Sequence, residues 1–462
     1  MASIARWKPL VKVDLVNDPA VRRTLSARTI EGYCRDEGYR WRESFWSPST
    51  TVVTFLLQVL GGAKTLRAAV ALLHTQLAAR GETDLPSCDP SAYCQARIRL
   101  PFEVLQRLLR HVANCMRKLV TTETGWLGRR TWIADGSNVS MPDMPELQAA
   151  FPQPSGQKPG CGQPVAQFVA LFCWSTGAVV DLAIDTIIPH ELSLFRRLWH
   201  HFAPGDVVVG DRAYGSYVDF ARLLERGVFG VFRLHQRRKA DFRRGKRLGH
   251  DDHLVVWQRP KQWIASFGVS REVFASLPET LTVRLVRITD GPPGFRSRTI
   301  VVATTLTDPT ETPADAIRSL YRDRWTAELN LRSIKTHLGM EILRGQTVNV
   351  VGKEIAMHML AYNLIRLLMW HAARQHQRDL HRLSFTGTLH RLRAAIPIML
   401  FHARGGRLNA VFEHLILCIA RDQLPVRPNR VEPRRVKRRP KQYSLLVKPR
   451  HWYRNHPDPG AR

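Results

Sequence analysis

The chain has 462 residues and a formal net charge of +30, from 69 Lys and Arg against 39 Asp and Glu. A hydrophobic content of 44% can fill real cores and excludes general disorder, while the cationic excess points to a polyanionic partner, nucleic acid ahead of an anionic membrane surface. No run of about 20 apolar residues occurs, so no membrane-spanning helix is expected, and the seven scattered cysteines exclude a disulfide framework.

The length suits two or three domains. The first segment, MASIARWKPLVKVD, lacks an apolar export core, so the chain is expected in a reducing cytoplasm, beside nucleoid DNA. Cys88 and Cys94 are too far apart for the usual zinc pairing. Residues 1–125 read as a helical domain, with helices over Thr50–Leu60, Leu66–Leu77 and Phe102–Leu119. The last carries Arg107, Arg110, Arg117 and Lys118 on its polar side. Its basic faces suit either DNA contact or plain solvation, and the sequence leaves both open.

From residue 126 the grammar becomes mixed α/β. TWIADGS is a short apolar strand; AQFVALFCW and AVVDLAID form a hairpin; His190–His201 is a helix; DVVVGD is a buried strand; Gly215–Arg226 is a helix; VFGVFRL is another strand. Residues from about 235 to 298 are basic and strand-like and read as a β-rich insertion in a domain spanning 126–345, with GPPGF as a turn near its end. Helices follow over 346–422, including Glu354–Arg374. Residues 423–462 form a basic, Pro-rich tail, whose RRVKRRPK run suits nonspecific phosphate binding or simple solvation.

Three acids stand out. Asp135 and Asp211 each end an apolar strand, where α/β sheets place their chemistry. Glu328 lies in YRDRWTAELNLRSIK. Read as one helix, that stretch puts Tyr321, Arg324, Glu328 and Lys335 on a single face, because they recur at near-multiples of about 3.6 residues. Each acid alone has a plain explanation: Asp135-Gly136 as a turn, Asp211 as a helix cap, Glu328 as the partner of Arg324 or Arg332. Together they form a carboxylate set that would repel unless cations held it, and paired Mg²⁺ or Mn²⁺ ions would relieve it while activating an oxygen against a phosphodiester.

Here the pattern resembles the DDE transposases of the IS-four family. Their signature of Tyr, two residues, Arg, three residues, Glu, six residues, Lys is matched in full by Tyr321, Arg324, Glu328 and Lys335. Asp135-Gly136 matches the strand of the first acid, and Asp211, Arg212 and Tyr214 match the second. The resemblance covers roughly Trp132–Arg374. It implies a ribonuclease-H-like catalytic domain with a β-rich insertion, flanked by a terminal-repeat-binding helical domain and C-terminal helices. It also implies cleavage at the inverted repeats of an insertion sequence and strand transfer into target DNA, by a hairpin cut-and-paste route, with the enzyme a homodimer on double-stranded DNA. Asp135, Asp211 and Glu328 would be catalytic and hold the metal, two ions in the family's manner of pairing them; Tyr321, Arg324, Lys335 and Arg212 would contact phosphates.

Weaker candidates for DNA contact are His190, which with Glu191 opens a helix that capping explains nearly as well, and Trp257 and Trp263 in the insertion, where base stacking competes with core packing. A catalytically inactive DNA-binding descendant and a metal-dependent nuclease of the same fold stand as alternatives.

Overall fold

The computed structural model of the protein describes residues 25–79, 81–82, 85–118, 125–188, 191–290, 298–401, 407–425, 443 and 445–455. The helical N-terminal region comprises α1 (Ala27–Asp36), α2 (Pro48–Gly61), α3 (Leu66–Ala79), α4 (Ser91–Arg99) and α5 (Phe102–Lys118). Local chemistry sets its boundaries. Ser47 caps α2 by accepting from the Thr50 amide, Pro48 occupies the first turn, and Gly62 closes the helix at φ 71°. α2 is buried along nearly its whole length, as an apolar run without a polar face must be. No single helix among the described residues is long and apolar enough to cross a membrane.

The sheet region opens with β1 (Thr131–Ser140) and short α6 (Pro145–Ala150). The hairpin β2 (Val165–Cys173) and β3 (Val179–Thr186) follows, then α7 (Glu191–Arg197), β4 (Val207–Gly210), α8 (Tyr217–Glu225) and β5 (Phe229–Arg233). β1, β2 and β3 are antiparallel neighbours, while β4 runs parallel to β1, and β5 parallel to β4. The order β3-β2-β1-β4-β5 is the ribonuclease-H-like arrangement.

The insertion supplies β6 (Lys246–Gly249), β7 (Asp252–Gln258), α9 (Arg271–Ser276) and β8 (Thr280–Asp290), and β9 (Arg298–Thr304) returns to pair with β5. It extends the same sheet to nine strands, ending β5-β9-β8-β7-β6. The short strand β6 emerges from what the sequence shows only as a charge run. The GPPGF turn lies outside the described residues, as do RRVKRRPK and His190.

After β9 come α10 (Ala314–Asp323), α11 (Trp325–Arg332), a π-helical turn (Ser333–His337), α12 (Val348–Gln375), α13 (Phe385–Phe401), α14 (Arg407–Arg421) and α15 (Arg450–Asn455). Alternation along β1 sorts two cores on the two faces of the sheet. Ile133 joins a core shared with α2, α5, α10, α11 and α12. Trp132 and Ala134 join the other, with Phe195 of α7 and Phe220 of α8.

α12 ties the chain together. Its Tyr362 donates to the Gly177 carbonyl (2.8 Å), Asn363 both accepts from and donates to the Val179 backbone (2.8 and 2.7 Å), and Arg366 donates to the Thr176 carbonyl (2.7 Å), so three side chains fasten the β2–β3 hairpin. Earlier in the same helix, buried Lys353 donates to the Arg97 and Ile98 carbonyls (3.1 and 2.7 Å) and closes the end of α4. Burial lowers its ammonium to about 8.

Candidate active site

Asp135 does not end its strand. β1 runs on to Ser140, pairing with β2 throughout, and Asp135-Gly136 is not a turn. The strand that ends is the neighbour: β4 pairs with β1 only over Val207–Val209 and stops at Gly210. Asp135 thus projects past the end of β4, and Asp211 leaves that same end, so the edge exists although the expected turn does not.

The stretch from Tyr321 to Lys335 is not one α-helix either. α10 yields to α11 at Arg324, whose amide donates to Tyr321 three residues back (3.2 Å), and the π-helical turn follows Arg332. Arg324 keeps α-helical dihedrals (φ −51°, ψ −32°), so the axis carries on and Glu328 still faces the sheet edge. The π turn swings Lys335 onto β1, where its ammonium donates to Ser137 Oγ and the Asn138 carbonyl, both at 2.9 Å.

Arg324 stands among the acids. It lies 2.5 Å from Glu328 Oε1 and 3.9 Å from Asp135 Oδ1. Burial raises Asp135 to about 7, opposed by Arg324 and reinforced by Glu328, Glu191 and Asp211. Three acids predicted from sequence therefore share one electrostatic site, and Glu191 joins them. Asp211 Oδ1 accepts from the Ala213 amide (2.6 Å), and Arg212 donates to Gln236 (2.9 Å), which joins this edge to the insertion.

Tyr321 is buried, its ring 5.9 Å from the Arg324 guanidinium carbon. Trp257 is buried in the second core, against Phe220 and beneath Arg238 at 3.8 Å. Trp263 donates to the Val269 carbonyl at 2.8 Å. The two tryptophans are thus bound up in packing of the sheet's extension.

The carboxylates offer hard oxygen donors with no thiolate or imidazole, a set that fits Mg²⁺ or Mn²⁺. The Asp135 carboxyl, raised to about 7 chiefly by burial, is one that a nearby cation would ionise. The described residues contain one compact trio of acid and imidazole ligands elsewhere: Asp181, His200 and His201, within 4.8 Å of one another. There Arg110 already holds Asp181 Oδ2 at 2.7 Å and His201 reaches it at 2.7 Å, so that trio is an ion-pair network linking α5 to β3.

A parallel β1–β4 pair bearing acids at its open end, faced by an acid-bearing helix, defines a ribonuclease-H-like enzyme acting on phosphodiesters. The chain belongs to the DDE transposase family: the model for the Transposase DDE domain matches residues 126–364. The chain is similar to the transposase InsG of insertion sequence element IS4 from Escherichia coli (strain K12), at 26% identity over 370 residues, covering 79% of this chain and 80% of that one. It is 29% identical over 184 residues to the putative transposase y4zB of Sinorhizobium fredii, covering 39% and 47%. Among solved structures, a piggyBac transposase synaptic complex with hairpin DNA aligns over 92% of this chain and 87% of that one, with TM-score 0.40 and 8% identity. The protein is a transposase of the IS4 kind, an enzyme of DNA cleavage and strand transfer that uses divalent metal.

Proposed function

We propose that this transposase cuts at the terminal inverted repeats of its own insertion sequence and joins the element to target DNA by a hairpin route. The observation that carries this reading is Arg324 set between Asp135 and Glu328 at the sheet edge, with Asp211 close enough for its charge to act on Asp135. Asp135, Asp211 and Glu328 would hold the divalent cations, Mg²⁺ or Mn²⁺, two ions if they bind as a pair. When bound, such a pair activates the attacking oxygen and steadies the leaving one.

Water attacks a phosphodiester at each element end, and the P–O3′ bond breaks to leave a free 3′-hydroxyl and a 5′-phosphate. That hydroxyl attacks the opposite strand, closing a hairpin on the element and expelling the flanking 3′-oxygen. A second water reopens the hairpin by breaking its P–O3′ bond, and the regenerated 3′-hydroxyl attacks a target phosphodiester and expels the target's 3′-oxygen. Arg324 turns from Glu328 to a phosphate, as a guanidinium fork suits. Lys335 and Arg212 hold neighbouring phosphates, and the buried Tyr321 ring backs Arg324. The helices before β1 grip the repeats, and two copies bring the two ends together on bacterial nucleoid DNA. The family match favours neither an inactive descendant nor a plain nuclease.

The test uses the full chain and duplexes carrying the element's ends, with products resolved on denaturing gels. Glu328→Gln should bind the repeats and lose nicking and hairpin formation in Mg²⁺ by on the order of a thousandfold or more. Wild-type cutting by that variant, or undiminished cutting with chelator present, refutes the assignment.

A further inference from the structure

A fourth carboxylate, Glu191, acts on the charge of Asp135 beside the three acids read from sequence. Glu191 opens α7, on the opposite face of the sheet from α11. Side chains alternate along β1, so Asp135 points to the side of Ile133, and Gly136 points to the side of Trp132 and Ala134, towards α7. A Cβ at Gly136 would collide with the Glu191 carboxylate. Gly136 is therefore the clearance through which Glu191 reaches the β1 backbone beside Asp135.

Tyr214 fixes that carboxylate from the other side. It follows Asp211 by three residues, is fully buried, and donates its hydroxyl to Glu191 Oε1. The carboxylate is thus fixed between the strand that bears the first acid and the loop that bears the second.

A neutral side chain can accept from Tyr214 as well, and a first-turn acid gains only modestly from the helix dipole. A fourth carboxylate beside Asp135 adds repulsion, which a cation would reverse. We infer that Glu191 is a fourth carboxylate of the active site, positioned by Tyr214, and that it helps to hold the divalent cations. The inference rests on the reading of the site given above.

The test is Mn²⁺ binding to the chelator-stripped full chain, followed by electron paramagnetic resonance of the free ion. Glu191→Gln should bind Mn²⁺ about tenfold or more weakly than the wild type, and Tyr214→Phe should weaken it in the same direction by a smaller factor. In chelator, Glu191→Gln should melt no lower than the wild type, because it removes a like charge; a purely structural glutamate would melt lower when replaced. Mn²⁺ affinity within twofold of the wild type overturns the inference. Should Glu191→Gln fail to fold, Glu191→Asp, which keeps the charge and withdraws it by one methylene, replaces it with the same criterion. Asp135→Asn separates the two readings: loss of Mn²⁺ binding there, with Glu191→Gln unaffected, sinks only the role of Glu191. Unchanged binding in Asp135→Asn sinks the site assignment itself.

Discussion

Arg324 donates to Glu328 across 2.5 Å while its other terminal nitrogen lies 3.9 Å from Asp135, so one guanidinium partly neutralises two carboxylates at once. On the proposed reading, a cation entering this edge would compete with Arg324, and each displaced guanidinium nitrogen would become available to a phosphate. Arg324→Ala should therefore destabilise the protein in chelator, by about 2 kcal/mol, because it leaves partly buried carboxylates unpaired. Added Mg²⁺ should restore more of the melting temperature in this variant than in the wild type. Equal Mg²⁺-induced shifts in the two proteins would show that Arg324 does not stand in for the metal.

The pH dependence in chelator follows from Asp135. Its folded-state value of about 7 lies above the ordinary 3.8, so the folded chain binds more protons than the unfolded one between those values. Its contribution to stability therefore falls as pH rises from about 4 to about 7 and is level above that. Asp135→Asn lacks this loss. The variant should gain on the wild type steadily across that window, as measured by paired thermal melts, and a flat difference would contradict the raised value.

A side chain at Gly136 should displace the Glu191 carboxylate. Gly136→Ala places a methyl against the Glu191 carboxylate and should lose about 1–3 kcal/mol of stability. In a Glu191→Ala background most of that loss should vanish, a coupling read by a double-mutant cycle of melting free energies. Additive losses would place the collision elsewhere.

The sheet's extension carries an exposed basic run of Arg237, Lys239, Arg243, Arg244, Lys246 and Arg247, next to the Arg212–Gln236 contact. Replacing Lys239, Lys246 and Arg247 with Gln should weaken duplex DNA binding and flatten the slope of log affinity against log salt by about 0.9 for each phosphate that the variant no longer neutralises. Mn²⁺ affinity should not change. An unaltered salt slope would free this face from any part in DNA binding.

Much of the scaffold could be read from residue patterning. Apolar runs of strand length and 3.6-residue spacing placed the hairpin, β4, β5 and the long α12 close to where they lie. Pattern failed where neighbours decide. Asp135-Gly136 reads locally as a turn, yet β2 continues alongside and holds it in the strand. β6 hides in a charge run because an edge strand of four residues needs no apolar face. The Tyr-Arg-Glu-Lys stretch gave its face by ideal helical offsets, which the break at Arg324 and the π turn then altered. Glu191 was legible only as the start of a helix, since nothing in its spacing reveals that Gly136 and Tyr214 meet it from two other elements.

The fastening of α12 bears on how length is measured on DNA. One rod joins the end of α4, through Lys353, to the hairpin beside β1, through Tyr362, Asn363 and Arg366. An inverted repeat gripped by the early helices would then meet Asp135 at a separation set by protein, not by a tether. Such a caliper makes the base-pair interval between recognised sequence and nick invariant, and inserting residues ahead of β1 would blunt cutting without lengthening that interval.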